Sequence, residues 1–218
     1  MAASLPYVFP FVTFLVLLGL GGRTGLSPAA DYGLRVLILT AVLWIGSRKV
    51  IDLRVRNWAG SLALGLLTFV IWIGPDLIAP GWRQSVLFHN FLTGSAPGPP
   101  NGYASLSAAA LSFRVLRAVA LVPIIEELFW RAWLMRWLIR PDFQAVALGS
   151  YTAQSFWVSA AVFAAEHGTY WDVGLAAGIL YNWWMIRVKS LGDCILAHAV
   201  TNAALSAYVL LSGNWQYW

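Results

Sequence analysis

Residues 122–140 read VPIIEELFWRAWLMRWLIR, and this stretch decides what the rest of the chain is built to hold. It sets Glu126 and Glu127 side by side in a run dominated by Leu, Ile, Phe, Trp and Ala, where an ionised carboxylate is costly unless it is paired or put to use. Helical geometry separates the two acids. Arg131 stands four residues after Glu127, one turn along the same face, with the acid on the favourable N-terminal side. Glu126 points about 100° away from that pair and is left without a local partner. Glu127 thus reads as half of a structural ion pair and Glu126 as an available carboxylate. Pro123 removes a backbone donor and crowds the carbonyl of Val119, so the helix is expected to kink or begin afresh where the acids sit.

The surrounding composition places this stretch in a membrane. The 218 residues are 60% hydrophobic and 11% charged, with 13 Trp and a mean hydropathy of +0.69. A soluble domain carries about 25% charged residues, so the fold class expected is an all-α, polytopic transmembrane helical bundle forming one domain over 1–218. Cys194 is the single cysteine, which excludes an intramolecular disulfide and any metal-type Cys cluster. The net charge of +5 does not point to nucleic acid, because the basic residues form short clusters between apolar runs.

Apolar runs predict spans near 7–20, 32–45, 58–72, 111–138, 153–166, 173–188 and 191–211. An eighth fits only in the connection 74–107, which contains the turn-rich SAPGPPNG, so about seven to eight spans are expected. The N-terminal apolar run has no Lys or Arg ahead of it and no small-residue cleavage site close behind, and reads as a retained first span in preference to a cleaved signal peptide. With seven alternating spans, Arg48, Lys49, Arg54, Arg56, Arg136, Arg140, Arg187 and Lys189 all fall on one side. Arg23 and Arg83 fall in the opposite loops, with Arg35, Arg114 and Arg117 near span ends. The expected protein is a multi-pass membrane component, N-terminus cytoplasmic and C-terminus outside.

Only three Glu and three His were used, and five of these six lie in or at the end of a predicted span: Glu126, Glu127, Glu166, His167 and His198, with His89 in a loop. Ionisable groups in apolar spans generally face a bundle interior or a wet cavity. Phe163 and His167 are four apart on one helical face, as are His198 and Asn202. An imidazole and a carboxamide pointing the same way suit an oxyanion better than a metal, since Asn is a poor ligand for most transition metals. Water held between Glu126 and His167 would be deprotonated to attack a peptide carbonyl, and His198 with Asn202 would meet the developing charge. Ser155, Ser159 and Ser206 lack a G-x-S-x-G context, and Cys194 lacks an electropositive neighbour other than distant Lys189. Trp130, Trp133, Trp137, Trp183 and Trp184 read first as lipid or interface contacts.

Three motifs, Glu126-Glu127-x-x-x-Arg131, Phe163-x-x-x-His167 and His198-x-x-x-Asn202, occur in this order across 111–211. Together they resemble the CAAX prenyl protease and bacteriocin-processing (CPBP) family of intramembrane endopeptidases, which includes the type II CAAX endopeptidases. The short chain and the aromatic tail GNWQYW are similar to bacterial CAAX protease-related proteins associated with exosortase sorting systems. The resemblance implies glutamate-type hydrolysis in a polar cavity without an obligatory metal or cofactor. Glu126 would be the general base with His167, His198 and Asn202 would bind the oxyanion, and Glu127 with Arg131 would support them, near Phe163. The partners implied are a peptide or lipidated protein substrate and membrane lipids, with no nucleic acid.

Other readings stay open at this level. Glu126, His167 and His198 form a His₂Glu set of the kind a zinc protease uses, although H-E-x-x-H is missing. Glu166, directly before His167, is a competing base. A proton relay would also use buried Glu and His, but inverted-repeat halves are not visible. A membrane immunity or assembly factor would bind a peptide in such a cavity without turnover.

Overall fold

The computed structural model describes residues 2–21, 23–88, 90 and 103–217, and its elements are helical, with no strand among the described residues. Seven helical segments occupy the seven predicted runs: α1 Leu5–Gly19, α2 Pro28–Ser47, α3 Trp58–Ile78, α4 Ala108–Trp137, α5 Ala153–Glu166, α6 Trp171–Val188 and α7 Leu191–Ser212. Four of them (α2, α3, α4 and α7) are long and apolar enough to cross a bilayer. With 15 and 14 residues, α1 and α5 reach only about 22 Å at ~1.5 Å per residue, against a hydrocarbon core of about 30 Å. Asp172, Asn182 and Arg187 dilute the apolar character of α6. His89 and most of the connection that might hold an eighth span lie outside the described residues.

Local chemistry sets the helix ends. Ser27, Asn57, Ser107 and Ser190 each accept a backbone N–H at the start of α2, α3, α4 and α7, and Thr152 with Ser155 forms a capping box on α5. Proline shapes two helices differently. In α1, Pro10 has no N–H to give the carbonyl of Pro6, and that carbonyl instead accepts from Ser47 Oγ at 2.5 Å, tying α1 to the end of α2. In α4 the helix neither breaks nor kinks to a stop at Pro123. It widens into π turns over Arg117–Leu121 and Leu128–Leu134, flanking the Val122–Glu127 segment that carries the acids.

Small residues let α7 lie directly against α3. A Cβ on Gly65 would come within 2.5 Å of the Ala197 carbonyl oxygen, and Thr201 Oγ1 donates to the Gly65 carbonyl at 2.9 Å. The buried Asp193 carboxylate, at the start of α7, accepts from the backbone N–H groups of Arg56 and Asn57 and from Ser61 Oγ at 2.7 to 3.0 Å. This brings the Arg48–Arg56 cluster to the end of the bundle that also carries Arg187 and Lys189. Gly149 packs against Lys189 there, so the connection following Arg136 and Arg140 joins them. At the other end, Arg83 binds Asp76, Asp172 and the Thr169 carbonyl, and Tyr217 of the aromatic tail donates to Asp76 at 2.8 Å.

Candidate active site

The two acids separate as their helical positions require. Glu127 is fully buried and accepts from Arg131 at 3.1 Å. Arg131, also fully buried, donates onward to Asn182 Oδ1 at 3.2 Å and lies over the rings of Phe163 and Tyr181, 4.6 and 5.3 Å from their centroids. Glu126 has no hydrogen bond or ion pair with a described residue, and its Oε2 is buried without a partner. A lone buried carboxylate is expensive, and its remaining outlet is a cavity of about 130 Å³.

Glu126, Phe163, His167, His198 and Asn202 all line that cavity, together with Trp72 and Tyr181. Four residues proposed for one water therefore do share a chamber, with room for about four waters at ~30 Å³ each. His167 caps the C-terminus of α5 and lines the same cavity as Glu126 of α4. His167 Nδ1 is 2.7 Å from the Phe163 carbonyl, an acceptor only, so Nδ1 carries a proton, and in the neutral ring the lone pair is on Nε2. Phe163 is thus more than core packing: its carbonyl selects the tautomer and its ring stacks 4.6 Å from the imidazole.

His198 departs from the expected arrangement. Its Nδ1 lies 2.8 Å from Glu127, so the structural ion pair is a three-membered Arg131, Glu127, His198 chain, and His198 reaches the cavity only through its Nε2 edge. Tyr181 stacks on that ring at 5.2 Å and donates to Thr201. Asn202 gives one N–H to the Ala118 carbonyl at 2.8 Å. Ala118 is in the π turn just before Pro123, whose missing donor leaves carbonyls there to be satisfied from outside the helix.

Sequence reasoning missed several supports. Asn182, fully buried on α6, accepts from Arg131 and donates to Ser159 and the Phe156 carbonyl. Gly174 and Gly178 let α6 approach α5 so closely that a Cβ would lie 3.2 Å from His167 and from Ala160, respectively. Their four-residue spacing was a readable signal of close helix packing. Trp130 is buried against Phe11 and Phe163, so it belongs to the core and not to the lipid surface. Glu166 lines a separate, apolar groove with Phe129, Trp130 and Trp133. Ser155 and Ser159 serve helix capping and Asn182, and Cys194 is buried with its thiol toward the Tyr181 carbonyl. Among the described residues no three His, Cys, Asp or Glu side chains are grouped to hold a metal ion.

Residues 108–204 match the family described as type II CAAX prenyl endopeptidase, Rce1-like. That segment contains all three motifs and every side chain of the cavity except Trp72 and Leu205. The resemblance drawn from the motifs is borne out over that segment, and the match together with the four apolar helices fits an integral membrane protein. No curated protein and no solved structure matches the chain.

Proposed function

We propose that the protein is an intramembrane endopeptidase that hydrolyses a peptide bond of a membrane-associated protein with a Glu126-activated water. The observation that carries this reading is the convergence of an unpartnered buried carboxylate, a free imidazole Nε2, a second imidazole edge and a carboxamide on one small cavity. Water bridging Glu126 and His167 Nε2 loses a proton to the carboxylate as it attacks the carbonyl carbon. The oxyanion is met by the remaining N–H of Asn202 and by the Nε2–H of His198 in its doubly protonated form, whose Nδ1–H is given to Glu127. Glu126 then returns the proton to the departing amine. Arg131, Glu127 and Asn182 do not touch substrate; they hold His198 and the helices in place.

All seven helices would enter the bilayer in a multi-pass arrangement, α1 and α5 being accommodated by local thinning of the bilayer or by ending within it, with the Arg48, Arg136 and Arg187 end cytoplasmic as the charge asymmetry favours. The test is cleavage by purified protein in bilayers, scored by peptide termini that appear, for wild type and Glu126→Gln, with and without chelator. Loss of cleavage by about 10²-fold or more in the variant supports the assignment. Retained cleavage refutes it, and loss on chelation rescued by zinc would replace it with the His₂Glu metal reading.

A further inference from the structure

Among the described residues, one buried cation has neither a hydrogen bond nor an ion pair. Arg117, at the first π turn of α4, is only 8% exposed, yet it makes no hydrogen bond or ion pair with a described residue; the ring of Tyr32, 5.8 Å away, is its recorded contact. A buried guanidinium without an anion is costly, and the protein puts it where a ligand can reach it. Arg117 lines a vestibule of about 720 Å³ at the end of the bundle opposite the Arg48 cluster, beside Arg35, Arg114, Tyr32 and Tyr103. Asp31 is the sole acid of that lining, and both its oxygens are already committed to Arg35, at 2.6 and 3.1 Å.

The vestibule adjoins two smaller cavities in turn. Arg114 and Arg117 are shared with a second cavity of about 190 Å³, and that cavity shares Asn202 and Leu205 with the 130 Å³ chamber of Glu126. The cavities shrink from about 720 to about 190 to about 130 Å³ towards the polar chamber, a taper that suits a peptide strand reaching Glu126 better than a two-chain phospholipid. Arg117 precedes Glu126 by nine residues of one helix, about 13 Å at ~1.5 Å per residue. An extended peptide covers that distance in about four residues at ~3.3 Å each.

We propose that Arg117 is a specificity-determining residue: it binds a carboxylate carried by the substrate about four residues from the bond cut, on the segment that occupies the vestibule. A planar carboxylate matches the guanidinium fork, and Tyr32 with Tyr103 gives the adjoining apolar residues a wall. The register rests on the peptidase reading above; the anion site itself does not.

The test uses full-length protein carrying Glu126→Gln, so that probes are not consumed, in phosphatidylcholine nanodiscs. The probes are an N-acetylated apolar pentapeptide with a free C-terminal carboxylate and the same peptide as its carboxamide. The acid is expected to bind at least about tenfold more tightly than the amide. Adding Arg117→Gln should bring that ratio to about one without changing the amide's affinity, and Arg117→Lys should restore part of it. Because it deletes an unanswered buried charge, Arg117→Gln should also raise the melting temperature of the ligand-free protein, which a merely structural arginine would not do. A ratio near one with Arg117 present, a ratio that survives Arg117→Gln, or no binding of either peptide overturns the proposal. Stabilisation by phosphatidylglycerol and by neither peptide would give the site to a lipid phosphate instead. If the acid binds through Arg117 but protein with Glu126 intact cleaves no peptide, the endopeptidase reading falls and the anion site stands.

Discussion

Replacing Glu127 by Leu should be among the most damaging single changes in the protein, and replacing Arg131 along with it should undo much of the harm. In the native bundle the Arg131 guanidinium is wholly enclosed, with Glu127 at 3.1 Å as its ion-pair partner among the described residues. Without Glu127 it retains Asn182 Oδ1 at 3.2 Å, a long contact to the Gly178 carbonyl at 3.5 Å and two aromatic faces. These neutral partners soften the loss but do not neutralise it, so Glu127→Leu should cost about 3–5 kcal/mol, the range for stranding a buried charge. Arg131→Met should cost less, about 2–3 kcal/mol, because the stranded Glu127 keeps the His198 Nδ1–H at 2.8 Å. The double variant removes both charges and should lie within about 2 kcal/mol of wild type, giving a coupling of several kcal/mol. The double variant should nevertheless be inactive, since His198 has lost the acceptor that orients it. Unfolding in mixed micelles by denaturing detergent titration measures all four corners of the cycle. Additive costs, with coupling under about 0.5 kcal/mol, would show that the two charges do not depend on each other and would refute the argument.

Gly174→Ala places a methyl 3.2 Å from His167 Cβ and Cγ, so the imidazole must shift by tenths of an ångström; hydrolysis should fall about tenfold or more while the melting temperature barely moves, a contrast that paired kinetics and melting curves resolve. Asp193→Asn deprives the N–H groups of Arg56 and Asn57 and the Ser61 hydroxyl of a charged acceptor and should destabilise by about 2–3 kcal/mol in the same unfolding assay, with no change in the catalytic pH profile. Burial, then the neighbouring Asp76 carboxylate, pushes the Tyr217 phenol up. A group raised on folding keeps its full contribution below its unfolded pKa of about 10 and loses it as pH rises beyond, so the aromatic tail should loosen in that alkaline window and Tyr217→Phe should abolish the transition seen in Trp fluorescence. Glu166→Gln should lower hydrolysis by less than about tenfold, because Glu166 lines the apolar groove and not the chamber; a loss equal to that of Glu126→Gln would move the base to Glu166.

What the chain alone determined is everything that depends on local periodicity. Apolar runs placed the seven helices, since burying a helical face or a lipid-facing surface leaves its mark every three or four residues. One turn of spacing was enough to pair Glu127 with Arg131 and to leave Glu126 unpartnered, and the same spacing put His198 above Asn202. Tertiary structure decided whatever joins residues far apart in sequence. Helical register tells which way a side chain points on its own helix but carries no term for what comes to meet it. For that reason the capture of His198 by Glu127, the service of Asn182 to Arg131 and the donation of Asn202 to a carbonyl freed near Pro123 were not readable beforehand. The short α5 was legible as a run too brief to cross, stopping where Gly168 takes a φ of 54° just past the His167 cap, whereas the meeting of His167 and Glu126 on one cavity was decided by the tertiary packing.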